Sequence, residues 1–270
     1  MQRIFIANWK MNMSVAEMET YFQEFSKNSD FDNAEVVVCP PMPLLSLAAQ
    51  HCAELGIALG AQNVFWEEAG AFTGEVSPLL LKDLGVQYVL IGHSERRQYF
   101  GETDQYVGRK VKAAIKAGLR PVVCVGESLI ELRTNRTEDV IEEQISAVMR
   151  GLDPIEARRV IIAYEPVWAI GSGMTPTGEQ VKEVALQIRK LMGDLFSLKI
   201  ARDIKILYGG SVSPDNVDEF TASYVLHGAL VGNASLDANK FSSLIQNGGG
   251  IRTASNQQED TTPLHEGDFA

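Results

Sequence analysis

Residues 160 to 191, VIIAYEPVWAIGSGMTPTGEQVKEVALQIRKL, carry a strand, a polar exit and a helix in one unbroken stretch. Val160 to Tyr164 are apolar at successive positions instead of alternate ones, so both faces of this strand are covered, as in a parallel sheet. Glu165 ends the run. Further on, Thr177 and Gln180 form a capping box, and Val181, Val184, Ile188 and Leu191 follow at helical spacing. A chain assembled from such units is an α/β protein.

The unit recurs in both directions. RIFIAN (3–8), EVVVC (35–39), IALGA (57–61), YVLIG (88–92), RPVVCVG (120–126), IKILYGG (204–210) and VLHGALVG (225–232) join VIIAY (160–164) to make eight apolar runs. Ser14 and Glu17 repeat the capping box ahead of a stripe of Val15, Met18, Phe22 and Phe25. Val107, Val111, Ala114 and Ile115 keep helical spacing, as do Ile141, Ile145, Val148 and Met149. Strand and helix alternate without an internal linker, which predicts one (β/α)8 barrel domain over residues 1–246; a doubly wound sheet is the competing arrangement. From 247 the pattern stops, and residues 247–270, with a glycine triplet and few large apolar side chains, read as a polar, flexible tail.

Composition narrows the function classes. Of 270 residues, 45% are hydrophobic and 22% charged, the proportions of a soluble globular protein and not of a membrane or disordered chain. MQRIFIANWKMNM reads as a first strand and not as a signal peptide. A net charge of −11 opposes binding to nucleic acid, so an anionic ligand needs a local site. Cys39, Cys52 and Cys124 lack C-x-x-C spacing and read as reduced core thiols of a cytoplasmic protein. His51, His93, His227 and His265 show no metal-ligand spacing, so no metal is expected.

In a barrel of this kind the reactive groups follow the C-terminal ends of strands. Those positions hold Asn8 and Lys10, Gln62 and Asn63, His93 to Arg97, Glu127, Glu165, Ser211, Gly232 and Asn233. Gly171 to Pro176 begins like a dinucleotide fingerprint, but Pro176 stands where its third glycine belongs. Gly173 to Gly178 has P-loop spacing, but Glu179 replaces the lysine that phosphate needs. GHSER (92–96) and GGSVS (209–213) lack the last glycine of a hydrolase nucleophile elbow. YGGSVSPDN and VGNAS, leaving the seventh and eighth strands through glycines, fit phosphate, because backbone N–H groups at such turns bind anions even on an acidic protein. His93 stands at the start of a helical turn whose field favours the uncharged imidazole, a form able to donate a hydrogen bond to a carbonyl.

ANWKMN (7–12), AQN (61–63), GAFTGEVSP (70–78), IGHSERR (91–97), AYEPVWAIGSG (163–173), YGGSV (208–212) and ALVGNASL (229–236) together resemble the triosephosphate isomerases, in register from about residue 3 to 246. The resemblance implies a cofactor-free, homodimeric barrel of glycolysis and gluconeogenesis that interconverts dihydroxyacetone phosphate and D-glyceraldehyde 3-phosphate. It makes Glu165 the base and His93 the electrophile, with Lys10 and Asn8 beside the substrate oxygens and Glu95, next to Ser94, holding the lysine. Gly171, Ser211, Gly232 and Asn233 correspond to the phosphate binders. Pro166 and Trp168 begin a lid; Trp168 reaches Glu127 when the lid is open, while Tyr208 and Ser211 latch it closed. Ile170 and Leu230 cover the glutamate, and Thr73 lies on a loop that docks into the partner subunit. Three positions depart from the family: Asn233 replaces a usual glycine, Met174 a lysine, and His227 an acid. The alternative in another class is a catalytically silent phosphate-binding barrel or scaffold.

Overall fold

The computed structural model describes residues 2–28, 31, 34–170 and 172–249. Its strands are β1 (Arg3–Asn8), β2 (Ala34–Cys39), β3 (Ala58–Ala61), β4 (Tyr88–Ile91), β5 (Arg120–Val125), β6 (Ile161–Tyr164), β7 (Lys205–Tyr208) and β8 (Gly228–Val231). Each pairs in parallel with the next, and β8 closes on β1 with Ile4 opposite Gly228 and Ala7 opposite Val231. The result is a closed barrel of eight strands, which excludes the open doubly wound sheet.

Helices α1 (Val15–Phe25), α2 (Leu45–Glu54), α3 (Pro78–Asp83), α4 (Ser94–Phe100), α5 (Asp104–Lys116), α6 (Leu129–Arg133), α7 (Thr137–Met149), α8 (Pro154–Ala157), α9 (Gly178–Leu195), α10 (Leu198–Asp203), α11 (Val217–Thr221) and α12 (Ala238–Gly249) are distributed through the connections. None is long and apolar enough to cross a membrane.

Continuous apolarity in the strands has a direct explanation. Ile4, Ile6, Val37, Leu90, Val122, Ile161, Ala163 and Leu207 pack together inside the barrel. The residues between them, such as Phe5, Val36, Val38, Ile91, Val123, Ile162 and Ile206, pack outward under the helices. At Gly60 the interior is so close that a Cβ would come 2.4 Å from the Cys39 sulfur, so β3 needs glycine there. Cys39, Cys52 and Cys124 are all free and buried.

The capping boxes form at Ser14–Glu17 and Thr177–Gln180. Of the first stripe, Met18, Phe22 and Phe25 are buried, but Val15 is 51% exposed because it stands in the first turn, before α1 settles on the barrel. The eighth strand begins at Gly228, later than the apolar run suggests. The Gly228 φ of +140° and the crossing of Ile4 leave no space for a side chain there, since a Cβ would fall 1.9 Å from the Ile4 carbonyl oxygen. α12 extends past 246 to Gly249. Gly248 is a packing residue, with an added Cβ only 2.7 Å from Val217 Cγ2 and 2.8 Å from Phe5 Cζ. The rest of the expected tail, from Gly250 on, lies outside the described residues.

Candidate active site

At the C-terminal mouth of the barrel lies a cavity of about 630 Å³. Its lining includes Asn8, Lys10, His93, Glu95, Glu165, Ile170, Ser211, Leu230, Gly232 and Asn233, so the barrel brings together most of the residues singled out at the strand ends. Gly209, Gly210, Val212, Ser213, Asn216 and Ala234 complete it.

Lys10 follows β1 in a left-handed conformation, φ +52°, unusual for a residue with a side chain. Two carboxamides hold it there. Asn8 Oδ1 accepts the Lys10 N–H at 3.1 Å, and Gln62 Nε2 donates to the Lys10 carbonyl at 2.9 Å and to the Cys39 carbonyl at 3.0 Å. The ammonium then meets Glu95 Oε1 at 2.8 Å, the pair being partly exposed. Gln62 stood out in the sequence only as a polar strand-end residue; its support of Lys10 follows from the register of β2 and β3.

His93 caps α4. Its Nδ1 accepts the Glu95 backbone N–H at 3.2 Å, which leaves Nε2 to carry the ring proton in the neutral form. Nε2 faces Glu165 Oε1 at 3.3 Å. The other oxygen, Oε2, accepts the Ser94 N–H at 3.2 Å, and the Glu165 backbone N–H donates to the Val125 carbonyl at 2.7 Å. Glu165 is thus a buried carboxylate, 2% exposed, met by one backbone donor, one imidazole and the Cys124 thiol.

The space around Glu165 is shaped by residues that spacing did not reveal. A Cβ at Gly126 would come 1.8 Å from the Glu165 carbonyl oxygen, and one at Gly209 would come 2.7 Å from Glu165 Cγ. Cys124 lies on the inner face of β5 beside the same carboxylate; burial, and next the negative Glu165, push its thiol well above the usual range. Its inward position on a strand is the sequence signal that could have found it.

After Glu165 the chain runs through Pro166 into a short 3₁₀ turn, Val167–Ala169. Trp168 Nε1 donates to Glu127 Oε1 at 2.7 Å, and the Tyr164 hydroxyl donates to the same carboxylate at 3.1 Å. Burial raises the Glu127 carboxyl above its ordinary range despite these donors. The Trp168–Glu127 contact expected of an open lid is therefore present. The Tyr208 hydroxyl is buried beside the Ser211 backbone, without a hydrogen bond of good geometry among the described residues. Met174 is 42% exposed, its N–H donating to Ser172 Oγ at 3.1 Å. Gly171 lies outside the described residues.

The loops after the neighbouring strands β7 and β8 both line the cavity. Asn216 closes the first, accepting the Ser213 N–H at 2.8 Å and donating to the Ser211 carbonyl at 3.2 Å. In the second, Ser235 returns its N–H and hydroxyl to the Gly232 carbonyl at 2.9 and 2.7 Å. Asn233 begins a 3₁₀ turn with φ outside the positive region, so its side chain costs no backbone strain.

Thr73 lies elsewhere, at the exposed tip of a loop tied down by Phe65 N–H to the Val76 carbonyl (2.8 Å) and Ser77 Oγ to the Glu68 carbonyl (2.6 Å). His227 is at the opposite end of the barrel, where Nδ1 accepts the Ile206 N–H at 3.3 Å and adjoins Arg189 Nη2 at 3.4 Å. Sequence reasoning missed Arg189, which is buried with Nη1 donating to the Ala201 carbonyl at 2.6 Å and Nη2 to that of Val225 at 2.8 Å. Its signal is a place on the inner stripe of α9, four and eight residues after Ala185 and Val181.

Comparison with known proteins agrees with this arrangement. The family model described as triosephosphate isomerase matches residues 3–248. A triosephosphate isomerase of Dictyoglomus thermophilum is 44% identical over 246 residues, 91% of this chain and 99% of the relative. Those of Thermoanaerobacter pseudethanolicus and Carboxydothermus hydrogenoformans are 46% identical over 246 and 248 residues, again 91% of this chain and 99% of each relative. By sequence match and by the barrel that carries the site, the chain belongs to the triosephosphate isomerase family.

Proposed function

We propose that this chain interconverts dihydroxyacetone phosphate and D-glyceraldehyde 3-phosphate by carrying one proton between adjacent carbons through an enediolate. The observation that carries the reading is the meeting of Glu165, His93 and Lys10, from three separate strand ends, in one cavity. Glu165 takes the proton from one carbon and returns it to the next. Its side chain extends from the end of β6, where the Ser94 N–H, His93 and the Cys124 thiol now meet it, and it exchanges contacts of this kind for substrate.

Negative charge develops on the two substrate oxygens as the proton leaves. The Nε2–H of a neutral His93 donates to one of them without gaining charge, and the Lys10 ammonium and Asn8 support the developing anion. The substrate phosphate lies between the loops of Ser211 and of Gly232 and Asn233. Closure of the segment through Ile170 and Gly171, with Leu230 opposite, removes water from around the carboxylate. Closing moves Trp168 off Glu127 and gives the Tyr208 hydroxyl and Ser211 their partner. No step requires a cofactor.

The first experiment is a coupled assay of triose phosphate interconversion by the purified chain without added metal or cofactor. Turnover in both directions is expected, and its absence refutes the reading. Replacing Lys10 by Ala is expected to lower kcat/KM by about 10²-fold or more, through weaker substrate binding and loss of charge stabilisation. An unchanged kcat/KM excludes that role.

We further propose a homodimer, acting in the cytoplasm in glycolysis and gluconeogenesis. The exposed Phe72 beside Thr73, with Met11, Tyr99 and Phe100 also exposed, supplies apolar area for a second copy. Activity per chain is expected to fall when the protein is diluted until sedimentation shows monomers. Full activity of the monomer contradicts this assembly.

A further inference from the structure

The cavity has little positive charge with which to hold a phosphate. Among the described residues Lys10 is the sole lysine or arginine in its lining, and that ammonium is already paired with Glu95 at 2.8 Å. Against it stand two carboxylates of the lining, Glu95 and Glu165, on a chain of net charge −11. A dianionic group entering this space depends on neutral donors, so each uncommitted N–H or O–H counts.

Three carboxamides line the cavity. Asn216 is used at both ends, by the Ser213 N–H and the Ser211 carbonyl, and Asn8, whose Oδ1 accepts the Lys10 N–H, has its Nδ2 assigned above to the reacting oxygens. Asn233 makes no side-chain hydrogen bond among the described residues and is exposed at the cavity wall. It follows Gly232, where an added Cβ would lie 3.4 Å from Lys10 Cε, so this corner borders the catalytic lysine as well as the phosphate loops. Its backbone is unstrained with a side chain present.

Resting on the isomerase reading above, we infer that the Asn233 carboxamide donates from Nδ2 to the phosphate of the bound substrate. It acts as an added, uncharged phosphate ligand that selects for a terminal phosphate over a neutral or carboxylate end. A neutral donor suits this place: a second lysine would compete with Lys10 for Glu95, whereas an amide adds a hydrogen bond and leaves that pair intact.

The test uses the full-length protein and its Asn233→Ala, Asn233→Gly and Asn233→Asp variants, with circular dichroism as the check on folding. KM for glyceraldehyde 3-phosphate and the inhibition constant of inorganic phosphate are measured beside kcat. Ala and Gly are expected to raise both constants together, by about 3- to 10-fold, with kcat within about twofold of the parent. Asp, which sets a negative charge against the phosphate, is expected to raise them more than 10-fold. Unchanged KM and phosphate inhibition in the Ala and Gly variants overturn the inference, as does a fall in kcat at constant KM. If the parent protein itself fails to turn over triose phosphates, the isomerase reading fails; an active parent with indifferent variants sinks only the role of Asn233.

Discussion

Replacement of Glu165 by Gln is expected to lower kcat by about 10³-fold or more while the protein keeps its fold and its affinity for inorganic phosphate. The amide is nearly the same size, so Gly126 and Gly209, which crowd this side chain, are not disturbed. It also keeps a carbonyl oxygen for the Ser94 N–H, which now meets Oε2 at 3.2 Å. The loss is confined to proton affinity: a carboxamide cannot hold the proton taken from carbon and return it to the neighbouring carbon. Exchange of solvent deuterium into dihydroxyacetone phosphate gives a direct measure. A variant that still exchanges at the parent rate removes Glu165 from the chemistry and assigns the proton transfer to another group, whereas a parent protein that does not exchange at all favours the silent phosphate-binding barrel.

The second large effect lies at the other end of the barrel and concerns stability. His227 faces Arg189 on α9, Arg3 on β1 and Lys205 on β7, with the Ile206 N–H also directed at Nδ1. Burial first, and then these cations, push its imidazole down to about 3 from 6.5. Between those two values the unfolded chain binds a proton that the native state refuses, so stability declines as pH falls from 6.5 and the whole contribution is lost below about 3. At full development this amounts to on the order of 5 kcal/mol.

His227→Asn offers an oxygen in place of Nδ1 and does not titrate. Its urea midpoint is expected to change less with pH over that window than the parent's; parallel profiles refute the assignment. His227→Asp supplies the carboxylate that buried Arg189 lacks among the described residues, and a higher midpoint than that of the Asn variant is expected at pH 7.

The barrel was legible because its strands are buried on both faces, a pattern that names a parallel sheet and that eightfold repetition turns into a barrel. Boundaries were less legible where a constraint comes from across the fold. Gly228 starts β8 because Ile4 passes against it, and Gly248 belongs to α12 because Phe5 and Val217 fill the space where a side chain would be. At the site, strand-end position pointed to Asn8, Lys10, His93 and Glu165, and motif resemblance supplied their roles. What neither could supply were the contacts between distant strands: Gln62 holding the Lys10 backbone, Cys124 beside Glu165, and Gly209 leaving room for it. Asn233, puzzling as a departure from glycine, is ordinary once its backbone is seen to be free of strain. Arg189 was hidden because a charged residue on a helix is usually solvated, and only the α9 stripe shows that it is not.

In the proposed lid, the Trp168 indole on Glu127, at 2.7 Å, gives the open form a stabilising bond of its own. A hydrogen bond to a charged group contributes about 1.5–3 kcal/mol, and closing gives it up. On that proposal the unliganded population is weighted toward open molecules, and the apparent affinity for substrate falls in proportion to the fraction that stands closed. The same weighting favours reopening once the product has formed. On that proposal, a contact remote from the reacting carbons trades tightness of binding for speed of release.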